Sequence, residues 1–73
     1  MDIKVGCFHN FSSNICINAY DINGKLVESI YSGALNSGHH TFNWKPVDIS
    51  SGKYFIRFES HNINDVIEVI YLK

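Results

Sequence analysis

The sequence predicts a small all-β domain without helices, and three observations carry that prediction. Short runs rich in β-branched and aromatic residues alternate between apolar and polar positions. Glycine-containing turns recur between those runs, and Pro46 is the only proline. No eleven-residue window sets apolar residues at helical spacing between recognisable caps.

The chain has 73 residues, enough for one domain. At this length folding buries only about 60% of the unfolded surface, so the core must be compact. A hydrophobic fraction of 45% argues against intrinsic disorder. The net charge is −1 and the lysines and Arg57 are scattered along the sequence, which disfavours nucleic acid as a partner. No apolar run approaches the roughly 20 residues that cross a bilayer as a helix. Residues 1–7 lack signal-peptide anatomy, so an export signal would lie outside this chain.

Residues 1–13 are the least patterned; Ile3-Lys4-Val5 suits a weak leader or an edge strand, leaving 14–73 as the folded domain. In residues 14–20, Ile15, Ile17 and Ala19 share one face, against Asn14, Cys16 and Asn18. Asp21-Ile22-Asn23-Gly24 follows, and Asn-Gly between apolar runs predicts a hairpin with a type I′ turn. Residues 25–32 form the returning strand. Its apolar Leu26, Val27 and Ile30 do not share one parity, which predicts a bulge.

Residues 33–38 read as a polar connection. His40, Phe42 and Trp44 then alternate with His39, Thr41 and Asn43, and Pro46 ends that strand near Lys45. After a loop over 47–51, Gly52 opens a strand with Tyr54, Ile56 and Phe58 on one side. Residues 61–65 read as a turn. Residues 66–72 are apolar on both faces apart from Glu68, which suits a strand paired centrally or covered on both sides. Ile17, Ala19, Phe42, Trp44, Tyr54, Ile56 and Phe58 are the expected core.

Candidate chemistry is sparse. Cys7, His9, Cys16, His39 and His40 invite a metal site, but adjacent strand residues face opposite sides and no ligand spacing of a structural zinc site occurs. Asp21, Asn23 and Asp48 suggest calcium; local capping of turn amides explains the same residues. No serine lies in an activated context, and no nucleophile, base and orienting group can be nominated together, so no enzyme and no cofactor are expected. Trp44, Phe42 and Tyr54 resemble a sugar-stacking platform, but their phase puts them in the core. Tyr31 and Phe55 are the better candidates for exposed aromatics. Cys7 and Cys16 read as separate thiols or as a disulfide. Asn10-Phe11-Ser12 matches a glycosylation sequon and carries no weight.

The order of the elements resembles a family. Residues 19–27, Ala-Tyr-Asp-Ile-Asn-Gly-Lys-Leu-Val, look like the hairpin of type IX secretion C-terminal sorting domains of type A. Gly38 with His40, Phe42 and Trp44, then Ile49 to Gly52 with Tyr54 and Phe55, look like its next two elements; Val69, Ile70, Tyr71, Leu72 and Lys73 are similar to its final strand. The resemblance spans residues 11–73, with His9-Asn10 where the family has an Asn-Pro pair. It implies a small immunoglobulin-like antiparallel β-sandwich of six to seven strands, related to a domain of flagellar hook-capping proteins. It also implies Asp21, Gly24, Gly38, Trp44, Gly52 and Tyr54 as structural motif residues, and residues 69–73 as the recognition element. The implied partners are an outer-membrane translocon and a surface peptidase, with the cargo domain absent from this chain. The implied location is the cell surface or medium after periplasmic transit. The alternative from another class is a free-standing structural, adhesive or carbohydrate-binding module.

Overall fold

A computed structural model describes residues 3–9, 13–61 and 64–72, the side chains of Cys7 and His9 excepted. The sequon at 10–12, Lys73, and a Cys7 or His9 ligand therefore lie outside the described residues. The described chain is all β. Six strands run β1 Ile3–His9, β2 Ser13–Tyr20, β3 Leu26–Leu35, β4 Gly38–Trp44, β5 Gly52–Ser60 and β6 Asn64–Tyr71. They form two antiparallel sheets, a β1-β4 pair and a four-stranded sheet ordered β3-β2-β5-β6. Apolar faces of the two sheets meet in one core of Ile3, Val5, Ile15, Ile17, Ala19, Leu35, Trp44, Tyr54, Ile56, Phe58 and Tyr71. Six of the seven expected core residues are buried there; Phe42 is half-buried against it.

The phase of β2 and β5 follows from their register. Ile17 opposes Phe58 and Ala19 opposes Ile56, so both strands turn their apolar positions to the same side. Directly opposed side chains across an antiparallel pair are the unit of sheet stabilisation. Trp44 closes the core from the smaller sheet. Its ring meets Tyr54 edge-on at 6.2 Å, and its Nε1 donates to Glu28 Oε1 at 3.0 Å. Phe42 packs on Tyr31 at 4.9 Å. Tyr31 is thus half-buried rather than exposed, because a sheet-to-sheet aromatic contact recruits it.

The irregular apolar residues of β3 have a simple cause. Pairing with β2 skips Ile30 between Tyr31 and Ser29, and skips Val27 between Glu28 and Leu26. Each skipped residue is a bulge, which changes the phase of the strand. Both side chains pack against the core as a result. β3 also continues to Leu35, since Gly33 pairs with Ile15 and Leu35 is buried. The expected connection over 33–38 shrinks to Asn36 and Ser37. Likewise β6 begins at Asn64, inside the stretch expected to be a turn.

The hairpin tip differs from the expected type I′ turn. The Gly24 amide donates to the Asp21 carbonyl and the Asp21 amide to the Lys25 carbonyl, both at 3.0 Å. Gly24 has φ +81°, and Asn23 is not among the positive-φ residues. This is the three-residue loop in which one left-handed glycine follows a right-handed turn. Asp21 Oδ1 accepts from the amides of Asn23 (2.9 Å) and Lys25 (3.0 Å), the local capping that explains an aspartate here. Replacing Gly24 by valine should destabilise the domain by about 1 kcal/mol or more, since a β-branched residue resists that φ. A thermal melt indistinguishable from the parent's would contradict this.

Tyr54 fixes the loop before β5. Its ring is in the core while its hydroxyl donates to the Ser50 carbonyl at 2.6 Å. Within the same loop Asp48 holds φ +60°, a conformation that aspartate tolerates better than most residues. Tyr54→Phe keeps the packing and removes one hydrogen bond, so chemical denaturation should show a loss of about 1 kcal/mol.

Candidate recognition edge

Strand direction decides what shares an end of the sandwich. The strands run alternately up and down, so the start of β1, the 21–25 hairpin tip, the 45–51 loop and the end of β6 lie at one end. Asp21, Gly24, Trp44, Gly52 and Tyr54 gather at that end, whereas Gly38 opens β4 at the other. Gly52 opposes Tyr71, which seats the end of β6 beside the start of β5.

β6 is an edge strand, paired only with β5. This corrects the expectation of a strand paired centrally or covered on both sides. Its two-faced apolar character is real, but much of it faces solvent. Tyr71 is buried and Val69 half-buried on the core side, whereas Val66, Ile70 and Leu72 are 53%, 52% and 67% exposed on the other. Ile67, opposite the fully buried Ile56, is itself 39% exposed.

The two edges of the larger sheet are built differently. β3 carries both bulges and Glu28, devices that twist or blunt an edge against added strands. β6 runs from Asn64 to Tyr71 in unbroken register with β5. Asp65 opposes the inward-facing Phe58, so a charge sits on the core side of the edge near its start. Glu68 points outward and pairs with Lys53 at 3.4 Å, an exposed contact worth little. Residues 69–72 contain no charge. The unguarded stretch of edge is therefore the last turn-free segment of the strand, at the end shared with the hairpin tip.

Other candidates fare less well. Cys16 is a free, exposed thiol beside Ser32. His39 and His40 face opposite ways: His39 lies against Phe8, and His40 Nε2 contacts the Asn36 carbonyl at 2.6 Å. Trp44 and Tyr54 are core residues and offer no stacking platform. The residues that sequence reasoning passed over are Tyr20, Ile22 and Arg57, which with Phe55 and Val66 line a cleft on the outer face of the larger sheet. Their signal was present: Tyr20 and Phe55 are aromatics out of phase with the core positions of their own strands.

The sequence model of secretion system C-terminal sorting domains matches residues 2–72. The chain belongs to that family. Curated proteins and solved structures yield no significant match. The sorting domain is a C-terminal signal of the type IX secretion pathway, and it marks proteins for the cell surface or the medium. Sorting domains work through the secretion machinery and are in general not catalytic. The family match begins at residue 2, ahead of the 11–73 span of the sequence resemblance. No helix among the described residues is long and apolar enough to cross a membrane.

Proposed function

We propose that this sorting domain is a non-catalytic handle, read by the outer-membrane translocon through the free edge of β6. Val69, Ile70, Tyr71, Leu72 and Lys73 form the recognition element in this reading. The observation that carries it is the contrast between the bulged β3 edge and the continuous, uncharged end of β6. A strand with open backbone groups accepts a partner strand by main-chain hydrogen bonding, and alternate side chains then set selectivity. On the outer side those side chains are Ile70 and Leu72, both exposed. Tyr71 holds the segment in place by burying its ring. A surface peptidase then removes the domain and joins the cargo to the cell surface, so the domain is substrate and address in one.

The test is a reporter protein carrying residues 1–73 at its C-terminus, made in a bacterium that possesses the type IX pathway. The fusion should reach the cell surface or medium, while the unfused reporter stays in the periplasm. A folded fusion that remains periplasmic would overturn the proposal.

A further inference from the structure

We propose that the outer face of the four-stranded sheet carries a sugar-binding cleft, distinct from the recognition element at residues 69–73 and independent of the sorting role. The cleft measures about 270 Å³ and is lined by Tyr20, Asp21, Ile22, Phe55, Arg57 and Val66. Its position follows from register. Tyr20 opposes Phe55 across β2 and β5, and Arg57 opposes Val66 across β5 and β6. Ala19, Ile56 and their in-phase neighbours occupy the core side, so these four residues stand on the solvent side. Two half-buried aromatic residues therefore stand on neighbouring strands, whose backbones run about 4.8 Å apart, and the exposed Ile22 lines the same cleft from the hairpin tip.

What distinguishes this cleft from a plain apolar groove is its set of open polar groups. Asp21 bonds the turn amides through Oδ1, and among the described residues no bond is made by its Oδ2. Arg57 meets Glu59 and Asn64 through Nε, and its two terminal amino groups have no partner among the described residues. The Tyr20 hydroxyl likewise has none among the described residues. A carboxylate acceptor, a guanidinium donor and a phenol thus border an aromatic floor.

A pyranose ring matches both halves of this site. Its C–H face rests on aromatic rings, while its hydroxyls donate to a carboxylate and accept from a guanidinium. An apolar side chain would cover the rings and leave the polar groups desolvated without partners, which is unfavourable. A nucleotide would bring phosphate against the Asp21 carboxylate, and the Arg57 guanidinium that could receive it is already paired with Glu59. The cleft holds about one ring, and a single shallow subsite of that size gives dissociation constants on the order of millimolar.

The experiment titrates the 15N-labelled domain with methyl β-glucoside, methyl β-galactoside and N-acetylglucosamine, reading amide shifts by NMR. At least one sugar should give saturable shifts confined to the neighbourhood of Tyr20, Phe55, Arg57 and Val66. Phe55→Leu keeps apolar bulk and strand preference while removing a ring, and it should weaken binding about tenfold. Tyr20→Phe retains both rings and should weaken binding several-fold through loss of the hydroxyl. Cyclohexanol, a ring of similar size with a single hydroxyl, should bind far more weakly than the sugar. The proposal is overturned if none of the three sugars produces saturable shifts there. It is equally overturned if cyclohexanol binds as well as the sugar, or if folded Phe55→Leu binds it unchanged.

Discussion

Trp44→Ala is expected to cost about 3–5 kcal/mol, the range for truncating a buried Trp, and to leave the domain largely unfolded near body temperature. Trp44 is 1% exposed and is the largest fully buried side chain. It joins the sheets in two ways, by its edge-on contact with Tyr54 and by the bond from Nε1 to Glu28. A two-stranded sheet offers few alternative core residues: on the described part of β1-β4 only Ile3, Val5 and Trp44 are buried. A chain of this length has a total stability of roughly 4–11 kcal/mol, so the substitution removes much or all of it. Where the variant still folds, circular dichroism should show a melting temperature lowered by more than about 12 °C. Trp44→Phe keeps most of the packing and should fall between the two. A Trp44→Ala melt within about 4 °C of the parent would mean that the smaller sheet is not held through this residue.

The legibility of this fold divides along a physical line. Strands that carry no bulge of their own were readable whether their partners lie near or far in sequence, because period-two alternation maps directly onto faces: β2, β4 and β5 match their expected phases. β3 was half-readable. Leu26, Val27 and Ile30 announced a bulge, but the number of bulges depends on how β2 pairs, and pairing is not encoded locally. Gly33 reads as the start of a connection; across from Ile15 it is a strand residue whose φ of +150° suits glycine. The turn at Gly24 was placed correctly and typed wrongly, because Asn-Gly serves a two-residue or a three-residue loop and only the hydrogen bond from Asp21 to Lys25 decides.

The candidate site was the hardest part, for a related reason. Continuous apolar sequence says that both faces avoid water in some state, not that both are covered within this chain. β6 satisfies the pattern of a central strand while standing at an edge, and that mismatch is what singles it out as the proposed recognition edge. The cleft at Tyr20 and Phe55 was hidden because its aromatics come from different strands and meet only through register.

The largest functional effect is expected from charging the β6 edge without disturbing the core. Deleting residues 71–73 would be a poor test, since Tyr71 is buried and its loss would unfold the end of the sheet. Ile70 and Leu72 are exposed, so Ile70→Lys with Leu72→Lys should shift the melting temperature by no more than about 4 °C for each substitution. Lysines on an edge strand are a common device against strand addition, because docking must desolvate them. Export of the reporter fusion should therefore fall at least about tenfold, equivalent to 1.4 kcal/mol or more of lost recognition. The matched control places the same charge at exposed apolar positions elsewhere, Leu26→Lys with Val47→Lys. Leu26 lies on the opposite, bulged edge of the larger sheet and Val47 in the loop after β4, so neither is part of β6. Export of the control at the parent level, with loss in the β6 variant, assigns recognition to this strand. Equal export of both variants would remove β6 from the mechanism, and equal loss would point to net charge instead of a docking edge.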